Sequence, residues 1–472
     1  PCDPKTLLIL NLKSYAFLLQ QMSLIEITKQ SVAELIELIN AKNQEDLLPV
    51  LEKLYPPDIA ELFDELSLEQ AVYVASLLEP QKKVDVFTEL DDENKLTFLK
   101  GFETEDIANT FFAYMDSDDA ADILNAMDTQ KGKEILRKIA DKEHSKNIAS
   151  LLKFPENTAG SLMAKELIKV RENWTVKQCT EEIRKQAEEV DNVYSAYVVD
   201  EFDELIGWIS LKRILLSKES QKITEIFNDN VISETTYTSG EEVAATMQKY
   251  DLVALPIVDA FNRLVGRVTF DDVLDYVKDE AEKDYQMLSG ISESVESTDS
   301  VMLNTRARLP WLIVGLAGGI ASSLVIGNFE AELAKNVQLA LFMPLIMAMA
   351  GNVGVQSSSI MVQGLANNSI TNSGLWSKLA KELAVALING LVCSALLMGY
   401  GFISGNNHEI MMTVSLALIA VILLAAIVGT SVPLALDRLK IDPALATGPF
   451  ITTSNDLLGL LMYFLIGYAI LG

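Results

Sequence analysis

The chain is poor in soft metal ligands. Its 472 residues hold 3 cysteines (Cys2, Cys179 and Cys393), far apart, and 2 histidines (His144 and His408). That pattern carries neither a disulfide framework nor a thiolate or imidazole zinc site. A metal bound here would be held by oxygen ligands. Cationic side chains are scarce too: 38 Lys and Arg stand against 66 Asp and Glu, a net charge of −28. A chain so short of positive charge has little with which to neutralise phosphates, which excludes nucleic acid as a partner. No phosphate-binding glycine loop, Ser/His/Asp set or kinase signature is found, so an enzyme is not expected.

What is present divides into two unlike halves near residue 308. From Leu309 onward there are five basic and seven acidic residues, which leaves 33 and 59 of the totals before it. The second half holds runs long and apolar enough to cross a bilayer as helices. These are Leu309–Gly327, Val337–Ala366, Leu383–Asn407, Ile410–Leu436 and Ala444–Gly472. Arg306 and Arg308 precede the first, Lys378 and Lys381 follow the second, and Arg438 and Lys440 follow the fourth. Basic loops favour the cytoplasmic face. The expectation is a multi-pass protein of the cell (inner) membrane, with cytoplasmic N-terminal domains and its C-terminus outside. Residues 1–21, ahead of Met22, read as an upstream extension rather than a signal peptide.

The first half reads as two modules. Residues 22–155 show helical spacing, as in Leu47, Leu48, Leu51 and Leu54. Pro57–Phe63, Glu105–Ala108 and Asp118–Leu124 form a weak repeat that opens acidic and continues apolar. Repeated short helices of this kind stack into a superhelix. Residues 156–280 run helix, strand, turn, strand, helix twice, in segments of about 156–221 and 222–280. The fold class is therefore a multi-domain membrane protein. It has an all-α five-span transmembrane domain, an α-helical superhelical cytoplasmic domain and an α+β tandem pair. Residues 281–308 are expected to connect them, with a helix over Ala281–Asn304 that its serines loosen late. Residues 309–472 form the membrane domain.

Within the spans so drawn, Asp456 is the sole carboxylate, and a charge at that depth is functional by default. Thr452 lies one turn before it, and no Lys or Arg of the spans can neutralise it. A mobile cation is the natural partner. The second span carries Pro344 and then Gly351-Asn352-Val353-Gly354-Val355-Gln356. Glycine and asparagine loosen a helix, and freed carbonyls are tolerated only where they line a cavity or are buried in protein; a glycine-rich helix interface is the alternative. Asn352 and Gln356 are neutral oxygen donors. Mg2+ keeps its water and often uses only one or two carboxylates. Spacing alone does not separate it from Mn2+ or Co2+.

Two resemblances extend this reading. Tyr197-Val198-Val199-Asp200 with Leu205–Ser210, and Leu255–Asp259 with Leu264–Thr269, resemble cystathionine-β-synthase (CBS) domains. The whole chain from about Met22 resembles the MgtE family of Mg2+ channels or transporters. The carriers are Gly351–Gln356, Asp442-Pro443-Ala444, and Gly448-Pro449-Phe450 through Thr452-Thr453 to Asp456-Leu457-Leu458-Gly459. That resemblance implies a homodimer in membrane lipid whose pore is built by the second and fifth spans, with Asp456 as ion-selecting residue. It implies pore roles for Thr452, Asn352, Gly354 and Gln356. It implies Mg2+ as both cargo and regulator, and ATP as a ligand of the CBS pair. Cytosolic Mg2+ is expected at Glu241, Asp251, Asp272, Asp275, Glu280 and Asp284, with Asp118, Asp122 and Asp85 as counterparts on the helical domain. Lys283 stands where the family places an acid. Carboxylates gathered without counter-ions repel, so a high cation concentration should favour a closed arrangement. The rival readings are a transporter of another solute and a membrane sensor that transports nothing.

Overall fold

A computed structural model describes residues 29–187, 190, 193, 195–292, 295, 300–366, 375–405, 407–446 and 448–471. The expectations for residues 1–21 and Met22 lie outside the described residues, as do some of the serines of the connecting segment. The chain divides into two units, residues 1–277 and 278–472.

The first unit opens with short helices: α1 (Lys29–Asn40), α2 (Gln44–Leu51), α3 (Pro56–Asp64), α4 (Leu68–Leu77), α5 (Pro80–Thr88), α6 (Asp92–Phe98), α7 (Ser117–Ala126), α8 (Thr129–Lys138) and α9 (Lys142–Leu151). Their starts are written locally. Ser67 and Gln70 form a reciprocal capping box at α4. The Asp141 carboxylate accepts the N–H groups of Glu143 and His144 at 2.7 and 3.2 Å and caps α9. Those bonds hold its pKa below the usual carboxylate value. The apolar stripes meet in a core of Phe63, Phe87, Phe98, Phe102 and Phe111, with ring centroids 5.0–6.0 Å apart. Acids open α7 and its inner face buries Ala120, Ala121, Ile123 and Leu124.

Two three-stranded sheets follow, β1 (Lys169–Arg171), β2 (Ser195–Val199), β3 (Leu205–Ser210) and β4 (Glu234–Thr235), β5 (Ala254–Val258), β6 (Leu264–Thr269). In each, the first strand runs parallel to the second and the second antiparallel to the third. Both copies shift register at the same place, between Val198 and Val199 and between Ile257 and Val258. This shared irregularity marks the duplication more sharply than side-chain identity does. α10 (Val176–Gln186) and α11 (Gly240–Tyr250) stand in equivalent positions. The hairpin turns meet, with the Leu205 N–H donating to Asn262 O at 2.9 Å and the Leu264 N–H to Asp203 O at 3.0 Å.

α12 (Phe270–Leu288) leaves the second copy. The expected connecting helix over Ala281–Asn304 is corrected at both ends. It starts at Phe270 and stops at Leu288, because Gly290 adopts φ +79°, where the helix cannot continue. The helix that resumes at Val301 already belongs to the first span.

Among the described residues the second unit holds five helices long and apolar enough to cross a membrane: α13 (Val301–Asn328), α14 (Gln338–Ala366), α15 (Leu375–Ser404), α16 (His408–Arg438) and α17 (Pro449–Leu471). α16 is the most buried and packs on α14, α15 and α17; α13 packs on α17. Three expectations change. The last span begins at Pro449, not Ala444, since Pro443–Ala446 forms a separate short turn. α14 is an unbroken helix through Gly351–Gly354. The glycines there admit close neighbours instead of freeing carbonyls. A Cβ on Gly354 would meet the Asn455 side chain and Ile451, and one on Gly429 would meet Gly354 O at 2.5 Å. Finally, α15 starts early enough to carry Glu382, so Asp456 is not alone among span carboxylates.

Candidate functional site

The helix contacts of α14 and α17 decide what faces outward beside them. Asn455 is 1% exposed and wedges against Gly354. One step round the helix, 100° away, Asp456 emerges into a groove of about 390 Å3. Its lining is Met347, Ala348, Gly351, Asn352, Val355, Gln356, Thr452 and Asp456. Asp456 is the one charged side chain in that lining. Gly351 keeps the floor clear: a Cβ there would stand 3.1 Å from Thr452 Cγ2 and 3.4 Å from Asp456 Oδ1. The Thr452 hydroxyl donates to Gly448 O at 3.0 Å, so it presents lone pairs to the groove.

Four of the five expected pore residues therefore converge: Asp456, Thr452, Asn352 and Gln356. Gly354 does not. It lies in the helix seam, where its missing side chain lets α14, α16 and α17 approach. Gly351 is the glycine that shapes the groove. A fully hydrated magnesium ion carries six waters, roughly 180 Å3 at about 30 Å3 each. The groove accommodates that volume, and its single carboxylate with neutral amide and hydroxyl oxygens suits a cation that keeps its water.

The second group lies in the first unit, between α7 and the start of α12. Asp118 is 8% exposed, and its Oδ1 is buried without a hydrogen-bond partner. Burial first, then Asp272, Asp119, Asp116 and Glu166, push its pKa well above the usual carboxylate value. Asp272 accepts the Thr269 N–H at 3.0 Å and its hydroxyl at 2.5 Å. Burial, opposed by those bonds, raises it as well. Asp271 and Asp275 stand close enough to act on Asp119. Asp118 and Asp272 thus act on one another, and Asp119 joins them with Asp271 and Asp275 beside it. Asp119 and Asp271 sit in acidic doublets, and that doubling is the signal for them in the sequence.

The other expected sensor residues are spread out. Glu241 and Asp251 stand at opposite ends of α11, ten residues or about 15 Å apart, so they do not share an ion within one chain. Asp85 accepts from Gln81 Nε2 at 3.1 Å on α5. Asp122 lies exposed on α7, one turn past Asp118. Glu280 and Asp284 lie on the C-terminal half of α12. Lys283 Nζ reaches the Glu280 carboxylate at 3.1 Å and supplies it with a counter-ion. Among the described residues no three His, Cys, Asp or Glu side chains are arranged to close on one metal ion.

A partner of this group escapes the sequence reading. Glu166 accepts the Ser117 N–H at 3.2 Å and its hydroxyl at 2.8 Å, and faces His144 Nδ1 at 3.5 Å. His144 Nε2 meets Phe112 O at 2.9 Å. Glu166 thereby ties the strand module to α7 and α9, directly beside Asp118.

Residues 343–466 match a family model described as a divalent cation transporter, MgtE. Residues 54–157 match the MgtE intracellular N domain, and residues 159–219 and 223–279 match the CBS domain. A magnesium transporter MgtE of Bacillus subtilis is 31% identical over 92% of this chain and 96% of its own length. That of Thermus thermophilus is 32% identical over 88% and 93%. Both are transporters rather than enzymes. A crystal structure of the soluble part of a magnesium transporter covers 54% of this chain and 99% of its own, with 27% identity and a TM-score of 0.50. A cytosolic domain of the Mg2+ channel MgtE, solved with ATP, is 33% identical over 52% of this chain with a TM-score of 0.49.

Proposed function

This chain belongs to the MgtE family of magnesium transporters, and on that premise we propose that it conducts Mg2+ through the α14–α17 groove and is closed by Mg2+ at its acidic cytosolic face. The observation that carries the reading is the convergence of Asp456, Thr452, Asn352 and Gln356 on one open groove along the side of an apolar helix bundle. A lone carboxylate there attracts cations and repels anions. Neutral oxygens around it suit an ion that exchanges hydration water slowly. An open groove on one chain is half a conduit. Two chains across a two-fold axis would enclose it and pair their Asp456 carboxylates, so the reading includes a homodimer. The N-terminal domains face the cytosol and the C-terminus lies outside.

Closure follows from the acidic face. Asp118, Asp119, Asp271, Asp272 and Asp275 bring negative charge together, with an orphaned oxygen on Asp118. Repulsion opposes this arrangement without a counter-ion, and a divalent cation relieves it. An ion that binds one arrangement better shifts the equilibrium toward it. In this reading Glu241, Asp251, Glu280 and Asp284 act at separate positions rather than in one cluster, and Lys283 weakens the claim of Glu280 on a metal. In this reading ATP is a ligand of the CBS pair.

The test is Mg2+ flux into proteoliposomes holding the full chain. Uptake should fall as Mg2+ rises on the face bearing the cytosolic domains. The Asp118→Asn, Asp272→Asn double variant should need at least fivefold more Mg2+ for the same closure. Unaltered closure in that variant would sink the sensor assignment, and absence of Mg2+ flux in the parent would sink the transport reading. Co2+ and Mn2+ in competition measure selectivity.

A further inference from the structure

Its sequence neighbours Lys378 and Lys381 place Glu382 in a loop. It stands instead seven residues into α15, inside the apolar segment Trp376–Ser404, about 10 Å along the helix axis. α14 and α15 meet chiefly through α16, on which both pack. Across that gap the Ser357 hydroxyl of α14 donates to Glu382 Oε1 at 2.6 Å. That length is well within the range of a formed O–H···O hydrogen bond. Ser357 is 2% exposed. It fits because residue 429 is glycine; a Cβ there would stand 3.1 Å from Ser357 Cβ.

Ser357 directly follows Gln356, which lines the groove. Successive helical side chains are 100° apart. Holding Ser357 against α15 therefore fixes the rotation of α14, and with it the direction in which Asn352 and Gln356 project. A hydrated ion is recognised by the positions of oxygens around its water shell. A small rotation of that wall changes recognition more than it changes folding.

We propose that Glu382 is a positioning residue for ion selection, which acts through Ser357 to aim the α14 wall of the groove. This rests on the reading that the groove conducts the ion. The role requires an acceptor at residue 382 rather than a charge: a glutamine keeps the oxygen that the Ser357 hydroxyl needs, and an alanine removes it.

The experiment is Mg2+ and Co2+ uptake into proteoliposomes by the full chain and by Glu382→Ala, Glu382→Gln, Ser357→Ala, the Ala/Ala double variant and Asp456→Ala. Glu382→Ala should lose at least tenfold in Mg2+ uptake and narrow the Mg2+ to Co2+ ratio. Ser357→Ala should shift the ratio in the same direction, and the double variant should be no worse than Glu382→Ala. Glu382→Gln should stay within threefold of the parent. Parental rates and ratios in both single alanine variants overturn the proposal. Glu382→Gln as poor as Glu382→Ala, with Ser357→Ala silent, overturns it too, since charge rather than the tether would then matter. Should Glu382→Ala fail to fold, Ser357→Ala, which loses only a hydroxyl, decides alone. Parental uptake by Asp456→Ala would remove the conduction reading itself, a result distinct from silent Glu382 and Ser357 variants beside a dead Asp456→Ala.

Discussion

Replacing Asp456 by asparagine keeps the size of the side chain and removes the only charge in the groove lining. Mg2+ held through its water shell stands about 5 Å from the carboxylate. With full bulk-water screening, the attraction between a divalent ion and one carboxylate at that distance is about 1.7 kcal/mol. This is a floor, because the groove is walled by apolar helices and screens less than water. One carboxylate then accounts for roughly a 15-fold difference in ion occupancy, and two carboxylates facing across a dimer axis for roughly 250-fold. Asp456→Asn and Asp456→Ala should therefore lose at least about 15-fold in Mg2+ uptake, measured with an indicator dye trapped in proteoliposomes. Asp456→Glu keeps the charge but lengthens its stem, so it should retain part of the flux and lose selectivity. Each variant needs the same gel-filtration profile and helicity as the parent. Flux within twofold of the parent in a folded Asp456→Asn variant would refute the electrostatic argument, because no other charge of the lining could replace the one removed.

Three further outcomes follow from the packing and the charges. Gly354→Ala drives a methyl group into Asn455 and Ile451, and overpacking of that kind costs about 1–3 kcal/mol; its thermal midpoint in detergent should drop, and an unchanged midpoint would contradict the seam. Gly448 holds φ +58°, and a Cβ there would stand 2.5 Å from Leu288 O, so Gly448→Ala should cost about 1–2 kcal/mol from the backbone alone, read in the same melt. Burial pulls the His144 pKa down, but the Glu166 carboxylate and Phe112 O outweigh it and hold it above the ordinary value of 6.5. Its contribution is full below 6.5 and is lost as pH rises through the higher folded value. Limited proteolysis of the full chain should show α7–α9 better protected near pH 6 than pH 8, with a smaller difference in His144→Gln; equal differences in the two proteins would dismiss His144 as the source.

Much of the architecture is legible in the sequence because its causes are local. Runs of apolar residues announce five spans, and capping residues such as Ser67 and Asp141 announce helix starts. Two copies of one hairpin pattern announce the tandem pair. Asp456 can be found since a charge in an apolar run needs no partner to be conspicuous. Glu382 cannot, because it borders a span edge drawn at Leu383 and its meaning comes from Ser357, twenty-five positions away. Glu166 escapes for the same reason. Nothing near it in sequence signals that Ser117 and His144 will bind it.

The amino-acid order by itself determined that the chain carries five apolar spans, that its first half is acidic and modular, and that oxygen atoms are the ligands it offers a cation. Each of these follows from transfer free energies and charge, which depend on composition within a short window. The tertiary structure decided which small residues pack and which line a groove. Gly351 and Gly354 are alike in sequence, yet one clears space beside Asp456 and the other lets α14 approach α17 and α16. That choice is set by helix rotation, and rotation is fixed by contacts between residues far apart in the chain, the Ser357 hydroxyl and the Glu382 carboxylate among them.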